Sequence, residues 1–281
     1  MKKITTLAVF TVLYCLGIFL ANPASAINPG SKIVVDGSTT VGPIAKSFAE
    51  YYMRMNPGVN ITVSESGSGN GAKSLINGTC DVADMSRFMK EKEFKAAVDK
   101  GIFPVAHVVA VDGIAIIVHP SNRVKSLTIE QVRDIYFGKI KNWGEVGGPN
   151  KRIVIISRDT NSGTYETFEK LVMKKQKITQ NAEYVGSNGA VRTRVQSTKS
   201  AIGYVGLGFI DKTVKAVKIN NIYPDRNSVS SGKYPIARPL FMFTNGYPKL
   251  GTHLHAFVTL YLSEKGQEII ESIGFIPITK Y

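Results

Sequence analysis

Ile153-Val154-Ile155-Ile156-Ser157-Arg158-Asp159-Thr160-Asn161-Ser162-Gly163-Thr164 joins a predicted strand to a predicted helix through one polar loop. The four apolar residues 153–156 are typical of a strand that is buried on both faces. After the loop, apolar residues recur at the spacing of one helix face: Tyr165, Phe168, Leu171 and Val172. A buried strand that leads directly into a helix is the repeating unit of an α/β fold, which we therefore predict.

The same order of strand, loop and helix recurs on both sides of this stretch. Apolar runs and alternating apolar residues predict further strands, at 33–35, 59–63, 114–118, 201–205 and 239–243. Helical spacing predicts helices over 43–55, 91–99, 129–136, 254–261 and 269–273. Thr128 and Gln131 form a capping box at the start of one of them, and Gly138 is typical of its end.

The chain has 281 residues, which is enough for two packed lobes. The run 114–118 suits a strand buried on both faces, and we predict that it makes the first crossing between the lobes. Without repeats or a long linker, the lobes must be joined by strands, and the chain must return to its first lobe. The predicted divisions are a signal peptide (1–26), the first part of lobe one (27–112), lobe two (113–205) and the return to lobe one (206–281).

The N-terminus has the order of a secretory signal peptide. Lys2 and Lys3 precede an apolar stretch over 4–20, and Ala24-Ser25-Ala26 provides a cleavage site of small residues. A membrane anchor is the alternative, but threonines dilute the stretch and no positively charged stop-transfer flank follows it. Tyr14 stands where a lipoprotein signal needs a small residue before Cys15. We therefore expect a periplasmic protein without a lipid anchor.

The composition indicates which classes of partner the protein favours, but it does not identify a particular partner. The formal net charge is +14, and removal of Lys2 and Lys3 lowers it by two, so the mature surface favours anions. The basic residues are scattered rather than gathered with aromatics into one arm, and we expect no nucleic-acid partner. Cys80 is the one cysteine after residue 26, so it has no internal disulfide partner and we predict a buried, unreactive thiol.

Four predicted strand-to-helix loops share small, hydroxyl-bearing and glycine residues. They are residues 36–40, 66–71, 85–87 and 158–164. A helix N-terminus presents unpaired backbone N–H groups, and serine and threonine hydroxyls add donors, so such loops can surround an oxyanion. Each loop alone is equally well explained by helix capping. Arg158 adds a permanent positive charge to the fourth loop, while Asp159 and Glu166 either orient it or belong to the start of the following helix.

These loops, in this order, resemble the phosphate-binding proteins of high-affinity ABC importers, within the type II periplasmic binding-protein superfamily. The resemblance covers nearly all of residues 31–279 and rests on five segments: 36–41, 66–71, 137–143, 158–164 and 201–205. It implies two lobes, each with a central mixed sheet flanked by helices, and a ligand cleft between them. It also implies that the protein hands inorganic phosphate to permease subunits in the inner membrane. We expect a monomer.

The resemblance places the family's ligand contacts on Thr39, Thr40, Ser68, Arg158, Ser162, Gly163 and Thr164. We add Ser38 from the first loop and, from the third, Ser86 and Arg87 to the candidate ligand residues. Many family members have an aspartate at the position of Ser86, which accepts the proton of hydrogen phosphate. Because Ser86 can donate to either ion, we predict weaker rejection of sulfate here. Closure of the lobes would bring Arg158 onto the bound ion.

Other functions remain open at this point. Sulfate, molybdate or tungstate could replace phosphate as the oxyanion. A secreted serine phosphohydrolase could use Ser68 or Ser162, although neither lies in a Gly-x-Ser-x-Gly motif. A polyanion-binding or surface-adhesion protein would depend on the net charge instead. The sequence indicates no catalytic residue, no metal site and no cofactor.

Overall fold

The computed structural model describes residues 31–279, so the predicted signal peptide lies outside the described residues. Residues 31–279 contain ten strands: β1 (Lys32–Gly37), β2 (Asn60–Ser64), β3 (Val82–Met85), β4 (Pro104–Val118), β5 (Ser126–Leu127), β6 (Val154–Arg158), β7 (Glu183–Val185), β8 (Ala201–Gly206), β9 (Lys215–Ile219) and β10 (Ala237–Asn245). The helices between them are α1 (Gly42–Met55), α2 (Ser68–Ile76), α3 (Glu91–Val98), α4 (Ile129–Phe137), α5 (Gly163–Phe168), α6 (Asn188–Ser197), α7 (Arg226–Ser230), α8 (His253–Val258) and α9 (Glu264–Ser272). The predicted α/β class is confirmed.

The strands form one hydrogen-bonded path in the order β2-β1-β3-β10-β4-β8-β6-β7, and β9 pairs with both β4 and β5. Pairs such as β1–β2 and β6–β8 are parallel, whereas β10–β3, β10–β4 and β4–β8 are antiparallel, so the sheet is mixed. Parallel neighbours require crossover helices, which agrees with the alternation read from the sequence.

Strand β4 connects two halves of this sheet. It pairs with β10 as far as Gly113 and with β8 from Ile114 onward. The predicted crossing strand 114–118 is therefore the second half of β4. We call the half with β1, β2, β3 and β10 the first lobe and the half with β5 to β9 the second lobe.

Each lobe has its own apolar core. The first includes Phe48, Met242 and Phe257 against β1 and β3. The second includes Tyr136 and Trp143 together with Phe168 and Tyr204, whose rings stack with centroids 4.1 Å apart. Val229 and Ile236 also belong to the second core. The predicted lobe boundaries stay a prediction, but this packing favours a return to the first lobe near residue 237 rather than at 206.

Local sequence signals account for several element ends. Thr128 Oγ1 accepts the N–H of Gln131 at 3.1 Å, and Gln131 Oε1 accepts the N–H of Thr128 at 2.8 Å. This reciprocal cap, which contributes about 1 kcal/mol, begins α4, and Gly138 ends it with φ of 89°. The helix after residue 162 is shorter than predicted, because α5 changes at Glu169 into a π-helical turn that extends to Met173.

Two motifs quoted from the sequence have structural roles. Trp143, from the segment 137–143, is fully buried in the second core, and its Nε1 donates to the carbonyl of Ser200 at 2.8 Å. Cys80 is a buried free thiol, and burial raises its pKa to about 12. The burial of Cys80 agrees with its prediction as a buried thiol, and Trp143 is a core residue of the second lobe. No helix within residues 31–279 combines the length and the apolar character that a membrane crossing needs.

Candidate functional site

All four predicted loops come together where the lobes meet. Thr40 Oγ1, from the first loop, lies 3.0 Å from Thr164 Oγ1 of the fourth, and Ser68 Oγ lies 3.3 Å from Ser86 Oγ. Gly163 lies against the second pair, since a Cβ built on it would be 2.5 Å from Ser68 Oγ and 2.6 Å from Ser86 Oγ. A side chain at Gly163 would therefore force the loops apart. We call Thr39, Thr40, Ser68, Ser86 and Thr164 the hydroxyl cluster.

The hydroxyl cluster is buried, and helix starts surround it. Its residues are at most 5% exposed, as are the neighbouring Ser38 and Ser162. Helix α2 begins at Ser68, and α1 begins two residues after Thr40. Ser38 Oγ accepts hydrogen bonds from the N–H groups of Thr40 and Val41, and Ser162 Oγ accepts one from the N–H of Tyr165. These two hydroxyls therefore bind backbone N–H groups close to the helix starts. The helix starts place N–H dipoles toward the same region.

Arg158 is a buried cation at the end of β6. Its side chain is 1% exposed, and its Nε and Nη2 donate to the carbonyls of Val185 and Gly186 at 3.2 and 2.8 Å. Nη1 is buried and has no hydrogen-bond partner among the described residues. Burial lowers the pKa of Arg158 to about 10, so it stays charged at neutral pH. A buried cation held by neutral carbonyls is unfavourable unless an anion compensates it.

A second buried arginine, which the sequence analysis missed, reaches the hydroxyl cluster. Arg238 Nη2 donates to Thr164 Oγ1 at 3.0 Å and to Thr40 Oγ1 at 3.3 Å, and its Nη1 donates to the carbonyl of Ser86 at 3.0 Å. Asp112 neutralises it, with Oδ2 2.9 Å from Nη2. Arg158 and Arg238 carry two positive charges and Asp112 carries one negative charge, so the three side chains have a net charge of one positive unit.

Asn188 is a second residue that the sequence analysis missed. Its Nδ2 donates to Thr39 Oγ1 at 3.1 Å and to Thr40 Oγ1 at 2.9 Å, while its Oδ1 accepts the N–H of Gly206 at 3.3 Å. It begins α6, which Ser187 caps. Gly186-Ser187-Asn188-Gly189 has the composition of the other four loops, so the same pattern could have identified it.

Arg87 does not join the hydroxyl cluster, although we grouped it with the ligand residues. Its guanidinium forms a two-point contact with Glu93, at 2.8 Å for each nitrogen, and its Nε lies 2.8 Å from Glu166 Oε2. With both carboxylates beside it, its charge is compensated without a ligand. Glu166 likewise does not orient Arg158, which was one of the two roles considered for it.

The lobes touch one another around the hydroxyl cluster. Besides the contact of Thr40 with Thr164, the N–H of Gly69 donates to the carbonyl of Asn161 at 2.9 Å across the boundary. Asn188 of the second lobe reaches both threonines of the first. The structure is therefore a closed arrangement of the two lobes, with the cluster between them.

Comparison with known proteins agrees with this architecture. A family profile described as a PBP superfamily domain matches residues 23–265. The phosphate-binding protein PstS of Borreliella burgdorferi is 32% identical over 259 residues, covering 88% of this chain and 90% of that protein. PstS of Staphylococcus saprophyticus is 34% identical over 257 residues, covering 87% and 80%.

A solved structure has the same fold. It is a putative phosphate ABC transporter substrate-binding protein with bound phosphate from Clostridium perfringens, with a TM-score of 0.83 and 32% identity over 89% of this chain and 100% of that one. The fold and the site thus define a two-lobed type II periplasmic binding protein. The chain belongs to this superfamily and, within it, to the family of phosphate-binding proteins of ABC importers.

Proposed function

We propose that this protein captures inorganic phosphate between its lobes and delivers it to an ABC permease. The observation that carries the proposal is Arg158, whose buried guanidinium is held by carbonyls and keeps Nη1 without a described partner. An oxyanion beside Nη1 would supply the compensating charge, and the guanidinium can bond two of its oxygens at once.

The hydroxyl cluster supplies the remaining donors of the proposed site. Ser38, Ser162 and the backbone of Gly163 border the cluster, and we include them with Arg158 in the phosphate shell. Arg238 and Asn188 complete it by orienting the hydroxyls of Thr39, Thr40 and Thr164. Arg87 is left out of the shell. Because the shell includes residues from both lobes, binding and release require the lobes to hinge.

Thermal unfolding with a series of oxyanions tests this function. A ligand that binds only the folded state raises the unfolding temperature, so phosphate should raise it more than sulfate, molybdate or tungstate at equal concentration. Arg158→Ala should lose the phosphate effect while it still unfolds cooperatively. Arg194→Ala is the matched control, because Arg194 pairs with Glu183 on the surface of the second lobe. Equal phosphate binding by Arg158→Ala would refute the proposed site.

Two single variants, Ser162→Ala and Arg158→Ala, distinguish phosphate binding from the two other functions considered. A phosphohydrolase would turn over a chromogenic phosphate ester and lose that activity in Ser162→Ala. The hydrogen bonds of Ser68 and Ser162 within residues 31–279 involve no histidine or lysine, so neither serine has an evident base. A polyanion-binding protein would be retained on heparin even as Arg158→Ala, with strong salt dependence.

The cellular setting is part of the proposal. We propose cleavage after Ala26, a monomeric protein in the periplasm and docking of the closed form on the permease. The mass of the protein from a periplasmic fraction tests cleavage and location, because it should correspond to a chain that begins at Ile27. A protein that keeps residues 1–26 and fractionates with membranes would contradict them.

A further inference from the structure

One carboxylate links the two lobes outside the hydroxyl cluster. Glu166 Oε2, in α5 of the second lobe, lies 2.8 Å from Arg87 Nε and 2.8 Å from Lys90 Nζ of the first lobe. The side chains of Arg87 and Glu166 are only 8% and 14% exposed, whereas Lys90 is 42% exposed. Water therefore screens the Arg87 contact less than an ordinary surface ion pair. We call these three residues the interlobe ion cluster.

The interlobe ion cluster adjoins the proposed phosphate site in sequence and in space. Arg87 follows Ser86 directly, and Glu166 comes two residues after Thr164. The N–H of Glu166 donates to the carbonyl of Ser162, so the carboxylate is carried by the same turn that presents Gly163 and Thr164. Separation of the third and fourth loops would therefore also separate Glu166 from Arg87.

The first-lobe side of the cluster is held in place before the lobes meet. Glu93 accepts hydrogen bonds from both terminal nitrogens of Arg87 and from the backbone N–H of Lys90, the residue directly before α3. Glu93 thereby holds the guanidinium of Arg87 and the backbone of Lys90. Glu166 belongs to the second lobe, so its contact with Arg87 costs little ordering of the arginine side chain.

The interlobe ion cluster also borders a cavity of about 480 Å³ that both lobes line. Its wall includes Arg87, Lys90 and Arg238 from one side and Glu166, Lys170 and Leu171 from the other. Arg238 contacts the hydroxyl cluster as well, so it connects the wall of the cavity with the proposed phosphate site. The cavity therefore lies at the boundary between the lobes, next to the interlobe ion cluster.

We propose that Glu166 determines how long the closed protein retains its ligand, by holding Arg87 and Lys90 across the lobe boundary. This inference rests on the proposed phosphate function. Glu166 does not belong to the proposed phosphate shell, so it acts through the position of the lobes. Loss of its charge should speed opening, and hence phosphate release, without slowing the encounter of phosphate with the open form.

The test compares phosphate release and capture in wild type and Glu166→Gln. Dissociation is measured by exchange of radiolabelled phosphate for an excess of unlabelled phosphate, and association by rapid mixing. Glu166→Gln keeps the size of the side chain, and the dissociation rate should rise about tenfold with an unchanged association rate. Raised salt should speed dissociation from wild type more than from the variant, because it screens the ion contacts of Glu166 that the variant lacks.

Glu183→Gln is the matched control. It removes the carboxylate that pairs with Arg194 inside the second lobe, so both rates should stay at the wild-type values. Lys90→Met should raise the dissociation rate less than Glu166→Gln does, and the double variant should release phosphate no faster than Glu166→Gln alone.

The outcomes distinguish this inference from the proposed function. No phosphate binding by wild type would refute the phosphate function. Binding by wild type with the same dissociation rate in Glu166→Gln would refute the role of Glu166 and leave the phosphate function standing. A fall in the association rate with unchanged dissociation would also refute the role, since it would assign Glu166 to ligand encounter. Unfolding of the ligand-free variants checks that the fold is retained.

Discussion

Asp112 and Arg238 are direct cross-strand neighbours in β4 and β10, and Arg238 Nη2 lies 2.9 Å from Asp112 Oδ2. Both residues are close to Gly113, which is the last residue of β4 that pairs with β10. From Ile114 onward, β4 pairs with β8. Asp112 Oδ1 accepts the N–H of Leu207, which directly follows β8. The ion pair therefore ties together the three chain segments at the lobe boundary, and Arg238 extends from it to the hydroxyl cluster.

Arg238→Met should destabilise the protein by about 3–5 kcal/mol, because it leaves Asp112 as a buried carboxylate without its cation. Burial already raises the pKa of Asp112, and Arg238 opposes that rise. Loss of Arg238 raises the pKa further, and a raised carboxyl pKa means that stability falls as pH rises above the unfolded value. Urea unfolding should therefore show a larger loss at pH 8 than at pH 4.5.

Asp112→Asn combined with Arg238→Met is the control for this prediction. The asparagine can still accept from the N–H of Leu207 but carries no charge. The double variant should recover part of the stability at pH 8 and should lose the additional pH dependence that Arg238→Met introduces. A double variant that is less stable than the sum of the single losses would contradict the assignment to an uncompensated charge.

The sequence predicted the loops better than the residues that connect them. Serine, threonine and glycine at a helix start are local signals, so the loops containing Thr40, Ser68 and Thr164 could be found without the fold. Arg238 lies inside an apolar strand, where a charge indicates a buried partner but does not say which. Its partner Asp112 is 126 positions away, and only the pairing of β4 with β10 brings them together.

Arg87 is the opposite case: the sequence assigned it to the ligand residues, but its side chain lies outside the hydroxyl cluster. Its place directly after Ser86 made it a reasonable ligand residue, because adjacent residues of a loop often contact the same ion. The chain bends at Ser86 and Arg87, directly after β3, and the two side chains reach different partners. Ser86 reaches the hydroxyl cluster, and Arg87 reaches Glu93 and Glu166 instead.

Asp84→Val should stabilise the protein at neutral pH. Asp84 in β3 is 0% exposed, and neither carboxyl oxygen has a hydrogen-bond partner in the described chain. Burial, followed by the nearby Glu65 and Asp36, raises its pKa well above the usual value. The folded protein thus holds a proton that the unfolded chain releases, so Asp84 lowers stability increasingly as pH rises above about 4. Valine has a similar size and favours strands.

The gain in the free energy of unfolding should be about 1–3 kcal/mol at pH 7.5 and smaller at pH 4. Denaturant unfolding at both pH values measures it. Asp81→Val is the control, since Asp81 is exposed and its carboxylate accepts the N–H of Val34 at 2.8 Å. A loss at pH 7.5 for Asp84→Val would show that its carboxyl group makes a favourable contact.

Gly163→Ala should weaken phosphate binding without a matching loss of stability in the ligand-free protein. The added methyl group would lie 2.5 Å from Ser68 Oγ and 2.6 Å from Ser86 Oγ, which belong to the other lobe. Such overpacking costs about 1–3 kcal/mol, which corresponds to an affinity lower by about 5- to 150-fold. Only the closed form brings these groups together, so the open form should unfold normally.

Gly189→Ala provides the matched control for Gly163→Ala, because the nearest atom to its Cβ is Ser187 Oγ at 3.8 Å. Calorimetry should give wild-type phosphate affinity for Gly189→Ala. An equal loss of affinity in both variants would point to a general effect on the loops. Equal affinity in wild type and Gly163→Ala would mean that the lobes do not close as tightly as this structure shows.

Sulfate should compete with phosphate for the proposed site. Hydrogen phosphate carries a proton near neutral pH and sulfate does not, so a carboxylate acceptor in the shell would reject sulfate. Ser86 Oγ lies beside Ser68 Oγ, and the carboxylate of Asp112, which reaches the cluster through Arg238, is already bound by Arg238 and the N–H of Leu207. A serine hydroxyl can donate to an oxygen of either ion.

Discrimination should therefore fall well short of the roughly 10⁴-fold that a site gains by hydrogen-bonding a group its competitor lacks. Calorimetric titration of phosphate into protein with excess sulfate should show a lowered apparent affinity. Ser86→Asp should keep phosphate binding and lose this competition, because the new carboxylate accepts the proton of phosphate and repels sulfate. Wild-type phosphate affinity that excess sulfate leaves unchanged would show that another group of the shell already senses that proton.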